Sequence, residues 1–127
     1  MGTKELPYPR LELDMKLKVI DPPREFKAGP SIILKDCAHI ELEVDEQVTF
    51  VTESGAEYDV AQKNWGYYAT PSINGRLYSN GFRTALTKNV VSGRYFVMLV
   101  EFLKQALFLE YLEKENMILV EWLDERK

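Results

Sequence analysis

The chain reads as a single α+β domain, a mainly antiparallel β-sheet or partial barrel with one C-terminal helix packed on it. Three observations carry that expectation. Apolar and polar residues alternate at period two through much of the first two thirds of the sequence. Turn signals built from Gly, Pro and Asn separate these stretches, and one segment, Glu101 to Glu115, changes to a helical period. A length of 127 residues suits one domain with one core, and residues 1–14 are expected to form an extended N-terminal arm. With 46% hydrophobic and 28% charged residues, the composition is that of a globular chain and excludes disorder or a fibrous repeat.

The elements follow in order. Met15 to Ile20 alternates as a half-buried strand and is expected to stop at Asp21-Pro22-Pro23, because proline denies the ladder its donor. Lys27-Ala28-Gly29-Pro30 turns the chain into a second strand, Ser31 to Lys35, and Ile40 to Val44 alternates again with its glutamates toward water. Around Glu53-Ser54-Gly55 a two-residue hairpin loop would set Phe50 opposite Asp59. A three-residue loop with Gly55 in the left-handed region pairs Phe50 with Tyr58, Val48 with Val60 and Thr52 with Ala56, leaving Thr49, Val51, Glu57 and Asp59 on the other, wet face.

Beyond the hairpin, Trp65 to Thr70 reads as a strand broken by Pro71. Ser72 to Gly81 reads as a shaped loop, with Asn74-Gly75 and Asn80-Gly81 as turn signals. Arg83 to Lys88 and Arg94 to Val100 are strands joined near Ser92-Gly93, and the unbroken apolar run Tyr95 to Val100 predicts a central strand buried on both faces. The helix from Glu101 to Glu115 carries Phe102, Leu103, Ala106, Leu107, Leu109, Tyr111 and Leu112 on a broad apolar face and ends at Asn116, a left-handed stop. Met117 to Trp122 is a last strand. If it lies beside the Arg94 strand, the helix between them forms a parallel crossover.

Charge is segregated along the chain. Asp36 to Asp59 contains eight carboxylates and no Lys or Arg, whereas Val60 to Val100 contains Lys63, Arg76, Arg83, Lys88 and Arg94 and no carboxylate. Either the basic stretch faces an anionic ligand or it neutralises the acidic one across the fold. Nucleic acid is not the expected partner, because the net charge is -4 and the basic residues are too sparse to make a dense stripe. No apolar run approaches the length of a spanning helix, so no membrane partner is expected. No export signal is visible, and a lone cysteine, Cys37, forms no intrachain disulfide, so the cytoplasm is the expected location.

Absences narrow the chemistry. The sequence has no phosphate loop, no dinucleotide glycine fingerprint, no Cys-x-x-Cys and no His-Glu-x-x-His, and its one histidine, His39, cannot build a multi-histidine metal site. No metal and no cofactor is expected. His39 is read as structural or solvated, with a proton-transferring base supported by Asp36 or Glu41 as the alternative; Cys37 is read as a small buried hydrophobe. The segment Trp65 to Arg76 gathers aromatic faces that suit sugar or base rings, neutral hydrogen-bonding groups and a cation around a tight turn. Trp65, Tyr67, Tyr68, Thr70, Ser72, Asn74 and Arg76, joined by Arg83 as a second anion-gripping arginine, form the candidate ligand-binding set, and His39 and Tyr68 are the candidate catalytic residues. Core packing and turn geometry account for the same residues equally well.

The run Trp65-Gly66-Tyr67-Tyr68-Ala69-Thr70-Pro71-Ser72-Ile73-Asn74-Gly75-Arg76, with Arg94 to Glu101 after it, resembles small uncharacterised prokaryotic proteins associated with surface-carbohydrate biosynthesis. The resemblance implies a sugar-class ligand and no particular reaction. The rhythm from Ile32 to Thr70 also resembles cupin-like barrels, without their metal histidines. Three functions therefore stand as expectations: a module binding a small polar or anionic ligand such as a sugar or sugar nucleotide, a metal-independent sugar isomerase or epimerase, and an interaction module forming a homodimer through its helix.

Overall fold

Two prolines shape the first ribbon without ending it. In the computed structural model, which describes residues 16–69 and 71–127, β1 (Lys16–Gly29) runs through Pro22-Pro23 and pairs antiparallel with β2 (Ile32–Glu41). The ladder is continuous to Val19↔Ala38 and resumes at Arg24↔Asp36, so residues 20–23 bulge out opposite Cys37. A bulge spares the prolines any need to donate, which is why the strand survives them. The two short strands expected around Ser31 and Ile40 are one continuous strand, with Val44 left in the following turn. Cys37 is exposed on this ribbon, not buried, because among the described residues nothing covers either face of the β1–β2 pair at that point. The expected N-terminal arm, Met15 and Thr70 lie outside the described residues.

The second sheet is β3 (Gln47–Val51), β4 (Glu57–Lys63) and β5 (Gly66–Tyr68), in that order and antiparallel. Its hairpin has the three-residue loop and the register expected: Val48↔Val60, Thr49↔Asp59 and Phe50↔Tyr58, with the Thr52 amide donating to Ala56 O and Gly55 at φ +93°. On the face expected to be dry, Ala56 is buried and Val48, Thr52, Tyr58 and Val60 are half-buried, while Phe50 stacks on Tyr58 and stays exposed. On the face expected to be wet, Asp59 is buried. Between Pro71 and Gly81 the chain makes one helical turn, α1 (Arg76–Ser79), where the sequence suggested only loop.

The third sheet has β6 (Phe82–Asn89) at its centre, β7 (Tyr95–Glu101) on one edge and β8 (Met117–Trp122) on the other. The apolar β7 is therefore an edge strand with Tyr95, Phe96 and Val97 exposed, contrary to the expectation of a central strand. The strand buried on both faces is β6, through Phe82, Thr84, Ala85 and Thr87. β7 and β8 both pair with β6 and are parallel to each other, but they are not neighbours; the connection through α2 (Gln105–Lys114) passes across β6. The helix stops at Glu115, followed by Asn116 in the left-handed region at φ 59°.

Register decides what covers each face of this sheet. Ala85, Met98 and Trp122 are mutual partners on one side, where Trp122 meets Phe108 of α2. Phe82 and Leu99 belong to the other side and join Ala56, Leu77, Tyr58 and Ile73 in the main apolar cluster. The β1–β2 turn is tied on through Ser31, whose hydroxyl donates to the buried Glu115 carboxylate at 2.6 Å. The strands do not close a barrel, and among the described residues no helix is long and apolar enough to cross a membrane.

The segregated charges are joined by the fold. Lys63 pairs with Asp45 and Arg76 with Asp59, basic stretch to acidic stretch, while Arg83 pairs with Asp124 and Glu125 near the C-terminus. At the hairpin tip, the Ser54 hydroxyl, then that of Thr52 at 3.0 Å, and Lys104 hold the Glu101 carboxyl below its ordinary range. Two outcomes follow. Leu77→Ala, which empties the centre of the main cluster, should lower unfolding free energy by about 2–5 kcal/mol in denaturant titration. Because the folded Glu101 pKa lies below its unfolded value, its contribution is present above about pH 4.5 and is lost as pH falls through the folded value. Ser54→Ala should therefore be less stable than the native chain at pH 7, and the gap should narrow at pH 3.

Candidate functional site

Alternation along three strands builds the floor of a cavity. Gln47 pairs with Ala61, Thr49 with Asp59, Ala61 with Tyr68 and Lys63 with Gly66, so these odd positions of β4 and their partners project from one face of the second sheet. Gln47, Asp59, Ala61, Lys63 and Tyr68 from that face, with Pro71, Ser72 and Arg76 from the segment entering α1, enclose about 430 Å³. Pockets for small molecules span roughly 300–1,000 Å³.

The wall is fixed by two polar contacts. The Ser72 hydroxyl accepts the Arg76 amide at 2.9 Å, which fixes the turn leading into α1. A Cβ on Gly75 would stand 2.5 Å from that hydroxyl, so the Asn74-Gly75 turn needs glycine for space while its φ of -129° is ordinary. Arg76 then reaches across to Asp59, whose other oxygen accepts the Thr49 hydroxyl at 2.8 Å. The Asp59 side chain is 12% exposed and that of Arg76 is 62% exposed. A guanidinium carries five donors, and the recorded contact with Asp59 uses one, so the remainder of the fork is available toward the cavity and solvent.

Of the residues suggested by the sequence, Tyr68, Ser72 and Arg76 line this cavity together. Tyr67 pairs with Gln62 and so points from the opposite face. Trp65 sits in the β4–β5 turn with its indole exposed, and Asn74 is exposed in the turn before α1. Thr70 lies outside the described residues. Arg83 does not line the cavity. Its guanidinium lies 3.9 Å over the Trp122 ring and donates to Asp124 at 3.2 Å, Glu125 at 2.6 Å and Gln105 at 3.3 Å, which commits it to holding β6, β8 and α2 together.

His39 lies on the separate β1–β2 ribbon, exposed, with Nε2 3.2 Å from Asp36 Oδ2. That hydrogen bond, with Arg24 at 3.4 Å, holds the Asp36 carboxyl below its ordinary value. The histidine and Arg76 do not line a common cavity. Sequence reasoning missed Gln47, Asp59 and Lys63. The hairpin register contained the signal for the first two, since it put Asp59 on the face it assigned to water. Lys63 needed the pairing of β4 with β5.

Compared with protein-family models, curated proteins and solved structures, the chain matches none of them.

Removing the buried partner should be costly to the wall. Asp59→Ala should destabilise the fold by about 1–3 kcal/mol through lost charge-assisted hydrogen bonds, measured by denaturant unfolding. Thr49→Ala, which leaves the ion pair in place, should cost less.

Proposed function

We propose that this protein binds a small polar, anionic ligand of the sugar or sugar-nucleotide class in the cavity between the β3–β4–β5 face and α1. The observation that carries the reading is the grouping of Arg76, paired through Nη2 with Asp59 yet 62% exposed, with Lys63, Gln47, Ser72 and the ring of Tyr68 around one concave space. A flat ring beside amide and hydroxyl donors suits a sugar face, and a guanidinium fork suits a carboxylate or phosphate. The carbohydrate class also follows from the resemblance carried by Trp65 to Arg76.

An enzymatic role through His39 draws no support from this arrangement, because His39 and Tyr68 belong to different sheets and only Tyr68 lines the cavity. Binding is therefore the favoured reading.

Thermal unfolding in the presence of sugar acids, sugar phosphates and nucleotide sugars tests it. A ligand at about 100 times its dissociation constant adds about 2.7 kcal/mol to the folded state. Stabilisation by an anionic sugar should disappear in Arg76→Ala and weaken in Tyr68→Ala, while Arg83→Lys should retain it. Stabilisation by no member of the series, or stabilisation unchanged in both cavity variants, would overturn the proposal.

A further inference from the structure

The edges of the sheets are not treated alike. β1 carries Lys16, Lys18 and two prolines, β2 carries Lys35, Asp36 and Glu41, β5 is three residues long, β8 has a register shift and Glu121, and β3, uncharged like β7, is only five residues long. Such features discourage strand-to-strand association. The run Tyr95 to Val100 of β7 has no charge, no proline and no bulge, and Tyr95, Phe96 and Val97 are 58%, 44% and 63% exposed. No strand among the described residues pairs with its outer edge.

Backbone geometry shows what that edge offers. Asn89 donates its amide to Arg94 O at 2.9 Å, and Phe102 donates to Gly81 O at 3.2 Å. Both bonds continue the β6–β7 ladder, so the even-numbered residues of β7 direct their backbone groups to β6. Tyr95, Val97 and Leu99 direct theirs outward. Beside this edge, Leu107 and Tyr111 of α2 line a groove with Leu99 and Val100, and Leu103, between β7 and α2 in the chain, is almost wholly exposed.

We propose that β7 is the interface for a second copy of this chain, joined antiparallel about a two-fold axis at Val97 into one continuous six-stranded sheet. In that register Val97 faces its own symmetry mate, Tyr95 faces Leu99 and Phe96 faces Met98, and Val100 alone of the run meets a charged residue, Arg94. The Arg94 end of one strand lies against the Glu101 end of the other, whereas a parallel arrangement would bring like charges together. The Thr52 and Ser54 hydroxyls bound to Glu101 occupy that end of the strand, which places the axis at Val97 and not nearer Glu101. The exposed parts of Tyr95, Phe96, Val97, Leu103, Leu107 and Tyr111 amount to roughly 700 Å² per copy at ~200 Å² per large side chain, close to the ~800 Å² per partner of a standard interface. This interface is independent of the ligand cavity.

Sedimentation equilibrium of the full chain should give twice its 14.7 kDa mass, and Val97→Lys, which opposes two ammonium groups at the axis, should give a folded monomer by circular dichroism. Disulfide trapping keeps the test decisive if that variant misfolds. A hydrogen-bonded antiparallel pair sets Cα atoms about 5.5 Å apart, within the ~4.4–6.8 Å that a disulfide spans. With Cys37 replaced by serine, Val97→Cys should oxidise to a reducible covalent dimer, and Val120→Cys on β8 should not. A monomeric native chain, or cross-linking at residue 97 no faster than at residue 120, would overturn the proposal.

Discussion

The buried carboxylate of Asp59 is the contact on which the cavity depends. It sits on the middle strand of the β3–β4–β5 sheet and accepts the Thr49 hydroxyl from the neighbouring strand and the Arg76 guanidinium from α1. A half-satisfied carboxylate in that position would pay the desolvation of a charge. The arginine therefore has to come to it, and in doing so draws the segment from Pro71 to Arg76 over the sheet face. Ser72 and Gly75 make that approach possible locally, the first by accepting the Arg76 amide and the second by leaving room for that hydroxyl. One electrostatic requirement thus fixes a wall, a floor and the position of the group best suited to hold an anion.

The same logic runs through the rest of the charged residues. Eight carboxylates followed by a stretch of five bases suggested either a binding surface or neutralisation of the acidic stretch, and the fold uses two of the five bases for the second purpose. Lys63 and Arg76 reach back to Asp45 and Asp59, and Arg83 reaches forward to Asp124 and Glu125 while covering Trp122. Arg76 differs from Arg83 in both exposure and number of partners. Arg83 is enclosed by its partners, with its side chain 14% exposed, and has little left to offer a ligand.

Local signals in the sequence were legible where short-range geometry decides the outcome. The hairpin around Gly55 could be registered because only one loop length brings Phe50 opposite Tyr58, and Asn116 marked the helix end because few residues tolerate its backbone region. The fate of β7 was not legible. A run of six apolar residues looks the same whether a strand is central or an edge, and the distinction depends on where β8 returns after crossing β6. The cavity was half legible for a related reason: Tyr68, Ser72 and Arg76 are close in sequence, but Gln47, Asp59 and Lys63 join them only through strand pairing. Proline was over-read at Pro22-Pro23, since a bulge lets a two-stranded ribbon carry residues that do not donate.

Amide chemical-shift mapping during titration with a sugar phosphate tests the proposed binding of an anionic sugar in the Asp59–Arg76 cavity. Perturbations should concentrate at Gln47, Asp59 to Lys63, Tyr68 and Ser72 to Arg76, with the β1–β2 ribbon around His39 unaffected. Saturable perturbations centred on the ribbon or on Arg83, with the cavity residues silent, would contradict it.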